Sequence, residues 1–242
     1  MITFLKAEEQ HQHSNGGGWV ANTAVVAASA YIGPDAWVSD NAQVCDNARV
    51  CSNAQVYGDA QVYGNAWVYG NARVYGNARV CSHAQVCSNA QVSGTAWVYG
   101  NAQVYGDAWV YGTARVFGDA LVYGNARVYG DARVYGNAQV FGNALVFGDA
   151  QVYGDAQVFG DAQVCGDTWA VSPLYIQGTR HAITNSAYGF LNVGCIKLSF
   201  SEWKKQYKAI GKQQGYTPAQ IKEYGTLIKF AMKIGKAAKR GK

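Results

Sequence analysis

Few side chains in this sequence could do chemistry, and they fall at regular spacings. Six cysteines (Cys45, Cys51, Cys81, Cys87, Cys165 and Cys195) and four histidines (His11, His13, His83 and His181) stand in 242 residues. His83, the only histidine in the middle of the chain, follows Cys81 by two positions. A general base needs a partly desolvated pocket and an orienting partner. His11, His13 and His181 read as ordinary surface residues.

The second set is cationic and aromatic. Residues 20–168 carry 11 Asp against 6 Arg, a balance of −5, whereas residues 169–242 carry 11 Lys and 2 Arg against 2 Glu, a balance of +11. Within the basic part, Arg180, Trp203, Lys204, Lys205 and Tyr207 combine guanidinium, ammonium and ring groups, the combination that holds nucleotide-like anions by stacking and by phosphate contacts. Arg115 and Arg133 add cations from the acidic part. A +11 tail also points to nucleic acid, although no recognisable reading motif accompanies it. Its plainest reading is a cap or oligomerisation element with solvated lysines.

These residues are positioned by a repeat. From Val26 to Val164 an aliphatic residue returns every sixth place through 24 hexapeptides, with Ala two places before it, as in Ala72-Arg73-Val74-Tyr75-Gly76-Asn77. Ala-x-Val-x alternates inward and outward as a short strand, and Gly-Asn/Asp tolerates the positive φ of a sharp corner. Units running in one sense must wind, and three per turn give an 18-residue triangular coil, about 8 coils in all. Grouping by 18 stacks Tyr57, Tyr75, Ser93, Tyr111, Tyr129 and Phe147 on one outward ladder, with equivalent ladders on the other two faces. Stacked rings and Gln rows stabilise a solenoid by themselves, and so much outward aromatic surface also suits a partner or oligomer contact.

The same winding limits the cysteines. Cys45 and Cys81 lie two coils apart on one face, roughly 9 to 10 Å, beyond the approximately 7 Å reach of a disulfide. Cys51 and Cys87 repeat that relation. Free thiols in a reducing compartment are expected, with no metal and no cofactor. His83 occupies a corner where Asn or Asp is usual, and His accepts positive φ. Twenty-four units without an insertion leave no loop to build a pocket around it.

The run resembles the hexapeptide-repeat, left-handed parallel β-helix family, in which an aliphatic residue at i and a small residue at i−2 recur. Here Gly comes one place later than in many members, and bacterial and phage proteins with Asn-Ala-x-Val-Tyr-Gly runs are the nearer likeness. The resemblance implies left-handed winding and a homotrimer. It also brings a competing activity, CoA-dependent acyl transfer with His83 as base and Cys81 beside it. The phage likeness implies a role against a host factor in the host cytoplasm.

The expected fold is therefore an all-β solenoid with a small α(+β) C-terminal extension. Residues 1–18 are a leader that caps the first coil, with a strand from Ile2 to Leu5. Residues 19–168 are the β-helix, after which Ala170 and Ile176 keep the phase. Residues 169–198 are a hairpin-like segment with a turn at Asn185-Ser186. Residues 199–242 are a basic two-helix tail. Ser199-Phe200-Ser201-Glu202 resembles a capping box for a helix ending before Gly215, and Thr217-Pro218-Ala219-Gln220 opens a second one reaching about Ala238. On the second, Lys222, Lys229, Lys233 and Lys236 form a stripe, with Ile221, Tyr224, Leu227, Ile228, Phe230, Ala231 and Ile234 expected to be mostly buried. No stretch is long and apolar enough to span a bilayer, the N-terminus is unlike a secretory signal, and a cytoplasmic protein with no membrane partner is expected. The expected function is non-enzymatic: a homotrimer that binds a partner protein or a small anionic ligand in clefts between subunits.

Overall fold

The computed structural model describes residues 9–234. The leader strand expected from Ile2 to Leu5, Lys236, and the end of the second helix at Ala238 lie outside them. Each hexapeptide contributes a two-residue strand paired in parallel with the strand 18 residues on: Arg73 with Gln91, Arg79 with Trp97, Gln85 with Gln103. Three flat sheets result, one per face. Every Ala and Val of the repeat from Ala30 to Val164 is buried, so the interior is one continuous column of small and β-branched side chains.

Three backbone N–H groups of most hexapeptides reach the next coil. In one unit Trp97 donates to the Ala114 carbonyl at 2.9 Å, Tyr99 to Val116 at 3.0 Å and Asn101 to Gly118 at 2.8 Å. Sheet and corners are thus laced alike, which satisfies backbone that a corner would otherwise strand. Nine parallel strands on one face, from Trp19 to Cys165, span on the order of 38 Å.

The corner is simpler than the sequence suggests. Only its first residue is left-handed: usually Gly, as at Gly118 (φ 71°), or else Asp40, Asp46, Ser52, Ser82 or Ser88. A methyl group on Gly118 would stand 2.9 Å from the Gly136 nitrogen, so successive glycines stack backbone on backbone. His83 sits one place later and has no positive φ, so the backbone reason given for its presence does not hold.

Both ends are closed. A strand at Gln10–Gln12 runs antiparallel to Trp19–Ala21, and the loop between them crosses the first coil: Gly18 donates to Ile32 O at 2.9 Å and Ile32 to Asn15 O at 3.0 Å. His13, expected on the surface, is buried in that loop, whereas His11 is exposed and bonded to Asn22. At the other end the phase slips by one residue. Trp169, not Ala170, pairs with Val152 and seals the column, while Ala170 is exposed.

Beyond it lies a four-stranded antiparallel sheet, Tyr175–Gln177, Ala182–Ala187, Phe190–Val193 and Ile196–Ser199. Ile176 belongs to this sheet and not to a further coil. Asn185 and Ser186 are buried within a strand, and the turns fall at Gly189 (φ 74°) and Gly194 (φ 57°), whose missing side chains allow the left-handed backbone. Asn185 forms no turn; its amide oxygen accepts from the Leu174 nitrogen and ties the sheet's first strand.

Helix α1 (Phe200–Gln213) starts with the expected capping box on Ser199 and Glu202. Helix α2 (Pro218–Ile234) starts with a similar reciprocal pair, Thr217 N to Gln220 Oε1 at 2.9 Å and Gln220 N to Thr217 Oγ1 at 3.2 Å. The helices and sheet share a second core around Ile183, Leu191, Trp203, Tyr224 and Ile228. On α2, Tyr224, Ile228 and Ala231 are buried, but Phe230 and Ile234 are exposed, contrary to the expectation of a nearly all-buried helix. The sheet covers only one side of α2.

Candidate functional site

The prism surface is organised by ring stacks. Tyr99, Phe117, Tyr135 and Tyr153 stack with centroids 4.8, 4.8 and 5.2 Å apart, and Tyr105, Tyr123, Phe141 and Phe159 at 4.9, 4.9 and 5.5 Å. Stacking leaves these rings half-buried, so they occupy one another more than they await a partner. Burial raises the pKa of Tyr99, Tyr105, Tyr129 and Tyr135 above the ordinary phenol value.

The cysteines belong to this packing. Side chains 16 residues apart touch diagonally across the coils. Tyr69, Tyr75, Tyr123 and Tyr135 each meet a Gln in this way, as with Tyr75 Oη donating to Gln91 Oε1 at 3.2 Å. Where a Trp comes second, the first residue is small: Trp67 Nε1 donates to Cys51 Sγ at 3.1 Å, Trp97 to Cys81 Sγ at 3.3 Å, and Trp109 to Ser93 Oγ at 3.2 Å. Each of these indoles lies 4.7 to 4.8 Å from the Tyr two residues on, filling the rung that Cys or Ser leaves vacant. Cys51, Cys81 and Ser93 are thus space and acceptor for a tryptophan. All six cysteines are free thiols.

The corners carry a third row. Asn53 donates to Asn71, Asn71 to Asn89 and Asn89 to Asp107, at 3.3, 3.1 and 2.9 Å. His83 is one rung of the parallel row, its Nε2 3.3 Å from Asn65 Nδ2, with an exposed ring. Cys81 is buried under Trp97. The structure therefore does not bring His83 and Cys81 together around a pocket: one faces solvent at the corner, the other is packed.

A cleft does form in the C-terminal module, away from the repeat. A cavity of about 50 Å³ is walled by Trp203, Tyr207, Tyr216 and Tyr224, with His181 and Cys195 beside them. The Arg180 guanidinium lies 4.7 Å over the Tyr216 ring and donates to the Gln214 and Gly215 carbonyls at 3.2 and 3.1 Å. Tyr224 Oη accepts from the backbone of Arg180 at 2.9 Å and of His181 at 2.5 Å and donates to the His181 carbonyl at 2.8 Å, so a buried phenol holds the Arg180 turn. Burial, then the neighbouring Tyr224, raises the Tyr216 pKa.

Of the residues singled out from sequence, Trp203 and Tyr207 line the cavity, and Arg180 lies beside it against the wall residues Tyr216 and Gln214. Trp203 is a wall and not a free contact, because it is 2 % exposed and its Nε1 donates to Leu191 O at 2.8 Å. Lys204 and Lys205 point outward from α1 and do not line the cavity. Arg115 and Arg133 are neighbouring exposed rungs on one prism face and are no part of the cavity wall. Tyr216, Tyr224 and Cys195 also line the cavity, though the sequence did not single them out as binding residues. The available signal was glycine inside a helix, which marks close approach: a side chain on Gly225 would stand 2.5 Å from Tyr207 Cε2, and one on Gly211 2.9 Å from Ile221 Cγ1.

The chain is a hexapeptide-repeat parallel β-solenoid with a small helical C-terminal region. The family model described as YdcK Beta solenoid repeat matches residues 42–58, 54–70, 66–82, 114–129, 126–140, 138–154 and 150–166. Among solved structures, the UDP-N-acetylglucosamine O-acyltransferase (LpxA) of Moraxella catarrhalis RH4 is similar at 12% identity, over 89% of this chain and 85% of that one, with a TM-score of 0.40. At that level the likeness says nothing about activity. No curated protein matches the chain. Among the described residues no helix is long and apolar enough to cross a membrane.

Proposed function

We propose that this protein is a non-enzymatic binding solenoid whose C-terminal module takes a small anionic, ring-bearing ligand of the nucleotide type, the prism serving as a rigid support and oligomer surface. The observation that carries this reading is Arg180 stacked on Tyr216 at the lip of a cleft walled by aromatic rings. Such a lip offers a face for a planar group and a fixed positive charge for its anion. Arg115 and Arg133 support a second anionic contact on the prism. Their register puts two like charges side by side, which costs stability unless an anion lies over them.

In this reading three copies pack through their prism faces, which brings Arg rows near neighbouring modules. The phage-borne likeness of the repeat is the only ground for making the ligand a host factor. Native mass spectrometry of the purified protein tests both parts, expecting a trimer and a small copurified mass. Thermal shift with nucleoside monophosphates and dinucleotides should then raise the melting temperature of the wild type and not of Arg180→Gln. No adduct, together with no shift at millimolar ligand, sinks the reading. A CoA-dependent acyl transfer lost in His83→Ala would replace it with the transferase reading.

A further inference from the structure

Helix α2 has an outer side that its own module does not cover. Phe230 and Ile234, one turn apart, are 52 % and 48 % exposed. Lys222, Lys229 and Lys233 are exposed on the same helix and form an adjoining stripe. In sequence, residues 235–242 follow directly with three further Lys, one Arg and no acid. Helix α1 carries four further exposed lysines, Lys204, Lys205, Lys208 and Lys212. Phe230 and Ile234 were both expected to be mostly buried, and both stand exposed.

We propose that this edge of α2 docks on the surface of an anionic lipid bilayer, without crossing it. Phe230 and Ile234 enter the headgroup boundary while Lys222, Lys229 and Lys233 reach the lipid phosphates along the same side, the arrangement of an interfacial basic helix. Charge decides against the other occupants. A second copy pairing through this edge would set its lysines against their own counterparts. A nucleic acid would engage the lysines but leave both apolar side chains in water.

The test is co-sedimentation of the full chain with vesicles of phosphatidylcholine containing phosphatidylserine, against vesicles of phosphatidylcholine alone. Binding to the anionic vesicles is expected, falling about tenfold on the neutral ones and falling with salt. Phe230→Ser/Ile234→Ser should weaken it about tenfold with unchanged circular dichroism, since both side chains are already in solvent. Lys229→Gln/Lys233→Gln should weaken it comparably and flatten the salt dependence. No binding to anionic vesicles overturns the proposal, as does binding indifferent to the Phe230/Ile234 change. So does duplex DNA that binds the double variant and the wild type equally and strips the wild type from vesicles. An oligomer that the Phe230/Ile234 change dissolves, with no vesicle binding, assigns the edge to a second copy instead.

Discussion

Cys81 and Trp97 should behave as one unit, and a double-mutant cycle will measure it. The Trp97 ring lies 4.8 Å from Tyr99, about one ladder spacing, and its Nε1 donates to Cys81 Sγ at 3.3 Å. It therefore fills the rung that a tyrosine at position 81 would need. Cys81→Tyr alone forces one ring out of the stack: overpacking of a filled site costs about 1–3 kcal/mol, and a lost ring contact about 0.5–1.5 kcal/mol. We expect a loss of about 2 kcal/mol. Trp97→Gln alone opens the rung above a buried thiol and should cost about 1.5 kcal/mol from lost stacking and apolar burial. Made together, they rebuild the Tyr-to-Gln diagonal that the chain already uses at Tyr75 and Gln91, and stability should return to within about 1 kcal/mol of the wild type. The coupling should then be about 2–3 kcal/mol, within the range for residues in contact. Urea denaturation followed by circular dichroism measures all four proteins. If the two losses simply add, to within about 0.5 kcal/mol, the diagonal is not an exchange of volume and this account of the cysteines is wrong.

Gly118→Val should destabilise the prism by at least about 2 kcal/mol in thermal unfolding, because φ there is 71° and the added Cβ would meet the Gly136 nitrogen at 2.9 Å. Ser199→Ala should cost about 1 kcal/mol of C-terminal module stability, read by amide exchange in α1. Glu202, which accepts from the Ser199 hydroxyl and backbone, is held below the ordinary carboxylate value. Its contribution is present above that value, is lost as the pH falls through the lowered one, and should shrink in the acid limb of the Ser199→Ala variant, which keeps the backbone donor but loses the hydroxyl. Trp203→Phe leaves the Leu191 carbonyl without its buried donor and should cost about 1–3 kcal/mol, unfolding the module before the prism in hydrogen exchange. Tyr69, bonded to Cys87 and partly buried, is pushed up to about 12. The fold prefers its neutral phenol, so this contribution holds up to the usual value near 10 and is lost as the pH climbs toward 12. Cys87→Ala should bring its spectrophotometric titration back toward the other tyrosines.

Much of the fold was legible because its order is local. An aliphatic residue every sixth place, alanine two before it and glycine at the bend specify strand, inward face and corner without reference to distant residues. The 18-residue grouping then follows from closing a triangle, and the pairings of Arg73 with Gln91 and Arg79 with Trp97 match it. Helix starts were equally readable, since the capping boxes at Ser199 and Thr217 act within four residues.

What the linear chain left open depends on segments far apart meeting. The role of Cys81 requires knowing that residues 16 apart touch across a coil. The slip that seals the column with Trp169 shows no break in composition, because either Trp169 or Ala170 could point inward until the last coil is built. The cleft joins the turn at Arg180 to Tyr216 and Tyr224, and a phenol 44 positions away holds that turn. Which side of α2 stays in water was also decided by the sheet and α1 packed against it. Hydrophobicity along a helix says which residues prefer burial, but only the tertiary fold supplies the surface that buries them, and here it stops short of Phe230 and Ile234.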